Sequence, residues 1–170
     1  MRLSETSSAA GIVAAAVVLP LVGCGSPTET VSIPQERAAD ALCSELENAG
    51  LDVTWLAASQ RSDFFDSAVR RVALQIDGPC GSVVNVYGFP DVEQAAAGVA
   101  RVSRDGMQVP VGGGLASVSW TGRPHFFRQG RLIALFCESG DSQPVTRRDR
   151  VVLAALRKVM GPQFAGLSCE

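Results

Sequence analysis

Arg123, His125, Arg128 and Arg131 crowd one short stretch of the chain, and His125 is its single histidine. Guanidinium groups match planar oxyanions, so the stretch is a candidate receptor for a phosphate, a sugar acid or a lipid headgroup. Strand alternation places Arg123 and His125 on one side, with Arg128 near a turn. The same charges suit a solvated strand edge, where they block edge-to-edge pairing. No Ser or Cys is spaced to make His125 a general base. Gly112-Gly113-Gly114 lacks the helix, Lys and Ser/Thr that a phosphate loop requires, and reads as a mobile loop. Glu45 and Glu47 fall on different sides of a helix. Asp63 and Asp66 lack calcium-loop spacing. Asp91 and Glu93 open a helix, where negative charge offsets the macrodipole. No CxxC and one His leave no usual zinc site, and no cofactor is expected.

The remaining reactive side chains are cysteines, and the leader sorts them. Arg2 is opposed by Glu5, and the run Ala9–Gly23 carries no charge. That run is short for a transmembrane helix, which needs about 20 apolar residues, and it has the shape of an export signal. It ends in Leu21-Val22-Gly23-Cys24. This tetrapeptide resembles the lipobox of bacterial lipoprotein precursors. The resemblance implies a signal peptide over residues 1–23, cleavage before Cys24, diacylglycerol on its thiol, and acylation (palmitate or a similar chain) of the freed amine. Two or three chains anchor stably, at about 0.8 kcal/mol per buried methylene. The implied location is extracytoplasmic, on a bacterial cell membrane, with membrane lipid as the partner held through Cys24.

With Cys24 assigned to lipid, Cys43, Cys80, Cys137 and Cys169 remain. Four cysteines in an exported domain suggest two disulfides, with three connectivities open. Locality favours Cys43–Cys80 and Cys137–Cys169, each worth about 3–4 kcal/mol in the chain-entropy account.

Residues 24–31 read as a lipidated N-terminus and polar linker, and residues 32–170 as one domain. Net charge is −2, so no pull toward nucleic acid is expected. Gly25–Ala100 holds eleven acids and four bases, whereas Arg101–Glu170 holds five acids and ten bases. The halves read as self-complementary; a basic half facing anionic headgroups is the alternative.

The elements that must position these groups follow from period and punctuation. Ser32, Pro34 and Gln35 open a helix whose stripe is Ala38, Ala39, Leu42, Cys43 and Leu46, ended by Gly50. Val53 and Trp55 suit a short strand, and Phe64-Phe65 suit the core. Val72, Leu74 and Ile76 alternate as a half-buried strand, and Ser82–Phe89 reads as the next. Asp91 and Gln94 open a second helix, ended by Asp105-Gly106. Ala116, Val118 and Trp120 begin a meander continued by His125–Arg128 and Arg131–Cys137. Thr146 and Asp149 cap a third helix that Gly161-Pro162 stops. Phe164–Leu167 is apolar enough to pack on the sheet. The expected class is α+β: an antiparallel sheet, three helices mainly on one face, a single domain stapled by disulfides.

Val84–Gly166 also resembles a family of small bacterial lipoproteins with no assigned activity. The resembling pieces are Val86-Tyr87, the helix opened by Asp91, Asp105-Gly106, Val118-Ser119-Trp120, Pro124-His125-Phe126, Gly130-Arg131-Leu132-Ile133 and Gly161-Pro162-Gln163-Phe164-Ala165-Gly166. The family pattern has Leu-Tyr where this chain has Phe136-Cys137. The resemblance supports the architecture and implies no mechanism. The expected function is a non-enzymatic binding or accessory domain of the cell envelope, for an envelope protein or ligand. A small-ligand or anion carrier using Arg123–Arg131 is the alternative, and a hydrolase a distant third.

Overall fold

The computed structural model describes residues 34–59, 64–68, 70–78, 81–138 and 145–166. The lipobox, the linker 25–31, Ser32, Asp63, Cys80, Leu167 and Cys169 lie outside the described residues.

Helix α1 (Pro34–Asn48) turns Ala38, Ala39, Leu42 and Leu46 to one face, and all four are buried. Gly50, at φ 84°, ends it in the left-handed region that favours glycine. Strand β1 (Val53–Ser59) follows and pairs antiparallel with β2 (Arg70–Ile76), which pairs with β3 (Val83–Gly88). Helix α2 (Val92–Ala100) is capped by the Asp91 carboxylate, which accepts from the Gln94 backbone N–H at 2.7 Å. After α2 come β4 (Gln108–Val111), β5 (Gly114–Ser117), β6 (Pro124–Gln129) and β7 (Leu132–Cys137). Helix α3 (Arg147–Met160) is capped by Thr146, whose hydroxyl accepts from the Asp149 N–H at 3.0 Å. Gly161 stops α3 as expected, and β8 (Gln163–Gly166) adds to the edge of β6.

The main sheet has six strands, ordered β1-β2-β3-β7-β6-β8, and every pairing is antiparallel. The register aligns Val72, Val86 and Ala134 across three strands, with Leu74, Val84 and Phe136 beside them. This face packs against α1 and α3 through Leu42, Leu46, Val152 and Leu156. The alternate residues Tyr87, Ile133 and Leu135 face the other way, into a second core with Phe65, Phe89 and Phe126.

The second core refines the expected placement of the helices, mainly on one face. α1 and α3 lie on one face, but α2 lies on the other, where Ala95 packs beside Phe65 and Ile133. The β4–β5 hairpin joins it through Val109. Strand β7 is buried from Leu132 through Phe136, a continuous apolar run that requires cover on both sides.

Two other expectations change. Gln108–Gly114 is a hairpin closed by a two-residue turn, Gly112 and Gly113 at φ 55° and 76°, the signs that a type I′ turn needs. And α2 ends at Ala100, ahead of Asp105-Gly106, with Arg101 as its C-cap. Among the described residues no disulfide forms: Cys43 and Cys137 are free thiols.

Candidate functional site

His125 is fully buried on β6, facing α1 and α3, and lies opposite Phe136, on which its ring stacks at a centroid distance of 6.3 Å. Its Nε2 is 2.9 Å from Glu138 Oε1, and its Nδ1 is 3.0 Å from Gln163 Oε1 on β8. Glu138 follows β7 and is itself buried, and its other oxygen lies 3.8 Å from Arg123 Nε. Both ring nitrogens face oxygens, so whichever carries the proton donates a hydrogen bond. The arrangement ties β6, β7 and β8 together at one end of the sheet and satisfies a carboxylate that would be costly to bury alone. The nearest sulfur in sequence, Cys137, points to the opposite face, into the second core.

The four candidate residues of the hairpin do not converge. Arg123 and His125 stand with Glu138 at one end, whereas Arg128 and Arg131 flank the turn at the other, about 17 Å away at 3.4 Å per residue. There Arg128 donates to the carbonyls of Gly130 (3.1 Å) and Val92 (3.3 Å), and Arg131 to that of Pro90 (3.3 Å). These bonds fasten the β6–β7 turn to the start of α2. A single anion site built from all four is therefore replaced by two separate clusters.

Arg131 contributes to a different feature, which local reading of the sequence does not reveal. A groove of 680 Å³ opens between α1, α3 and the β6–β7 turn. Its α1 wall is Pro34, Arg37, Ala38 and Ala41, a stripe at helical spacing. α3 adds Lys158 and Val159, the turn adds Gln129–Leu132, and Val92 closes one side. Alanine methyls at 38 and 41 leave the space that larger side chains would fill. Arg37 and Lys158 are exposed, and Lys158 pairs with Glu45 at 2.6 Å.

On the sheet's second face, Asp66 accepts from the Gly112 and Gly113 N–H groups at 2.6 Å each. These bonds hold its carboxyl below the usual carboxylate range. Burial pushes the Cys137 thiol up to about 12, and burial followed by the Glu47 side chain raises that of Cys43. Neither is disposed to act as a thiolate nucleophile. Cys43 sits on the α1 side of the sheet and Cys137 faces away from it, so the sheet separates these two sulfurs. Among the described residues no three His, Cys, Asp or Glu side chains gather as metal ligands, and no helix is long and apolar enough to cross a membrane. Comparison with family models, with curated proteins and with solved structures finds no match for this chain.

Proposed function

We propose that the chain is a bacterial lipoprotein precursor whose mature form is anchored by lipid on Cys24 and works outside the cytoplasm as a non-enzymatic binding or accessory domain. The observation that carries this reading is the uncharged run Ala9–Gly23 ending in Leu21-Val22-Gly23-Cys24. Its chemistry suits lipid transfer to a cysteine flanked by small residues. α1 begins ten residues after Cys24, so the intervening chain reaches at most about 35 Å. That is long enough to clear a headgroup layer and short enough to keep the domain beside the membrane.

The binding role is supported by how the polar groups are used. The single histidine is enclosed between Glu138 and Gln163, and an open groove with basic residues on its rim remains. The disulfides Cys43–Cys80 and Cys137–Cys169 belong to the same proposal. β8 lies beside β6, which lies beside β7, so the three residues after Gly166 are enough to span about 10 Å toward Cys137. Non-reducing peptide mapping checks both: Cys43 joined to Cys137 or Cys169 would reject them.

The anchor is tested by metabolic labelling with palmitate and by fractionation. The wild-type chain is expected to label and to sediment with membranes. Cys24→Ala is expected to lose the label and to leave the membrane fraction; its retention there would sink the lipoprotein reading.

A further inference from the structure

We infer that the groove between α1, α3 and the β6–β7 turn is a binding site for one anionic amphiphile, a lipid with a phosphate or carboxylate head and an acyl tail. Two independent features of the same cavity point there. The first is charge. Arg37, Arg131 and Lys158 are the charged residues of its lining, which holds no carboxylate among the described residues; Lys158 also pairs with Glu45. Arg37 has no hydrogen bond or ion pair among the described residues, and Arg131 spends one guanidinium nitrogen on the Pro90 carbonyl. Guanidinium and ammonium donors left over in this way suit an oxyanion.

The second feature is the floor. Ala41 and Val159 present apolar surface beside the buried Ala38 and Leu132, along the first two turns of α1. Ala38 and Leu132 belong to the core beneath, and Val159 packs against it, so the floor is rigid and already formed. A volume of 680 Å³ is in the range of sites for small molecules. A free inorganic anion would use the rim and leave the floor wet; a neutral lipid would use the floor and leave the charges unmatched. Only a ligand with both parts satisfies both surfaces. The inference deepens the binding reading above and does not depend on lipid at Cys24.

The test uses the full chain in neutral detergent and follows thermal unfolding with phosphatidylglycerol, phosphatidylcholine, oleate and inorganic phosphate. Phosphatidylglycerol or oleate is expected to raise the midpoint, and the larger response identifies the source as membrane phospholipid or free fatty acid. Phosphatidylcholine and inorganic phosphate are expected to leave it unchanged. Arg37→Ala and Lys158→Ala, both on exposed side chains, are each expected to weaken binding about fivefold while keeping the ligand-free midpoint. Ala41→Trp, at an exposed position, fills the floor and is expected to abolish the response. An equal shift with phosphatidylcholine, a full shift with phosphate alone, or unchanged binding in all three variants would overturn the inference. Cys24→Ala, tested alongside, keeps the groove, so loss of anchoring and loss of lipid selectivity are read separately.

Discussion

The Glu138 carboxylate is almost wholly removed from water, and its two oxygens face different partners, His125 and Arg123. Removing it leaves a buried imidazole with one side unmatched. Glu138→Ala is expected to cost about 3 kcal/mol in urea unfolding, and Glu138→Gln, which keeps an acceptor for the ring, markedly less. Asp66 makes a prediction of the opposite kind, at the surface. Its folded pKa is depressed by the two glycine N–H groups, so its contribution is present above the unfolded value of about 3.9 and is lost as pH falls through the folded one. Asp66→Asn should therefore flatten the acid limb of stability below about pH 4, read from urea midpoints across that range. Neither role is legible locally. The partners of His125 lie 13 and 38 residues away, and those of Asp66 lie 46 and 47 away. A charge cluster was visible around His125, but not the buried acid that completes it.

Elements are legible in the sequence wherever their signals are local. The caps Asp91–Gln94 and Thr146–Asp149, the glycine after α1 and the stop after α3 are where side-chain chemistry places them. Thr146→Ala is expected to cost about 1 kcal/mol by loss of the cap, measured by thermal or urea unfolding. The β4–β5 hairpin is hidden in the sequence because three glycines suggest mobility, although Gly-Gly is also a residue pair for a type I′ turn. What distinguishes the cases is the strap across it, since Asp66 clamps the turn and the Phe65 N–H donates to the Pro110 carbonyl at 2.8 Å. β8 was expected to pack on the sheet and instead extends it. The pairing is close at Gly166, φ 102°, where a Cβ would meet the Pro124 carbonyl oxygen at 1.9 Å. Gly166→Ala should thus peel β8 from β6 and raise amide exchange along β6 without unfolding α1.

At the scale of the whole molecule the sheet is a partition between two cores. Leu42→Ala on one side and Phe65→Ala on the other are each expected to cost about 3–5 kcal/mol. Both should appear in a single calorimetric transition, because β7 contributes to the two cores through alternate residues. The class, the number of helices and the antiparallel sense were legible from period and turn chemistry. The two-sided cover was written in the unbroken apolar run of β7, yet was outweighed by the alternation of β2, whose intervening Ala73 is also buried. The opposed charges of the two halves are met in part inside the fold: Lys158 pairs with Glu45, and Arg148 Nη1 lies 3.8 Å from Asp77 Oδ2. Each of these pairs joins the basic half to the acidic one, as self-complementarity requires.

Pro34 is at once the first residue of α1 and a wall of the groove. With Cys24 lipidated as proposed, a tether ending there would confine the cavity to a hemisphere of about 35 Å radius around the anchor. Molecules in the adjoining leaflet would then be encountered at an effective concentration in the millimolar range. Under that condition a site need not bind tightly to stay occupied, and it can release its occupant quickly. Selectivity between head groups, rather than strength, would then be the quantity on which the placement of Arg37 and Lys158 acts.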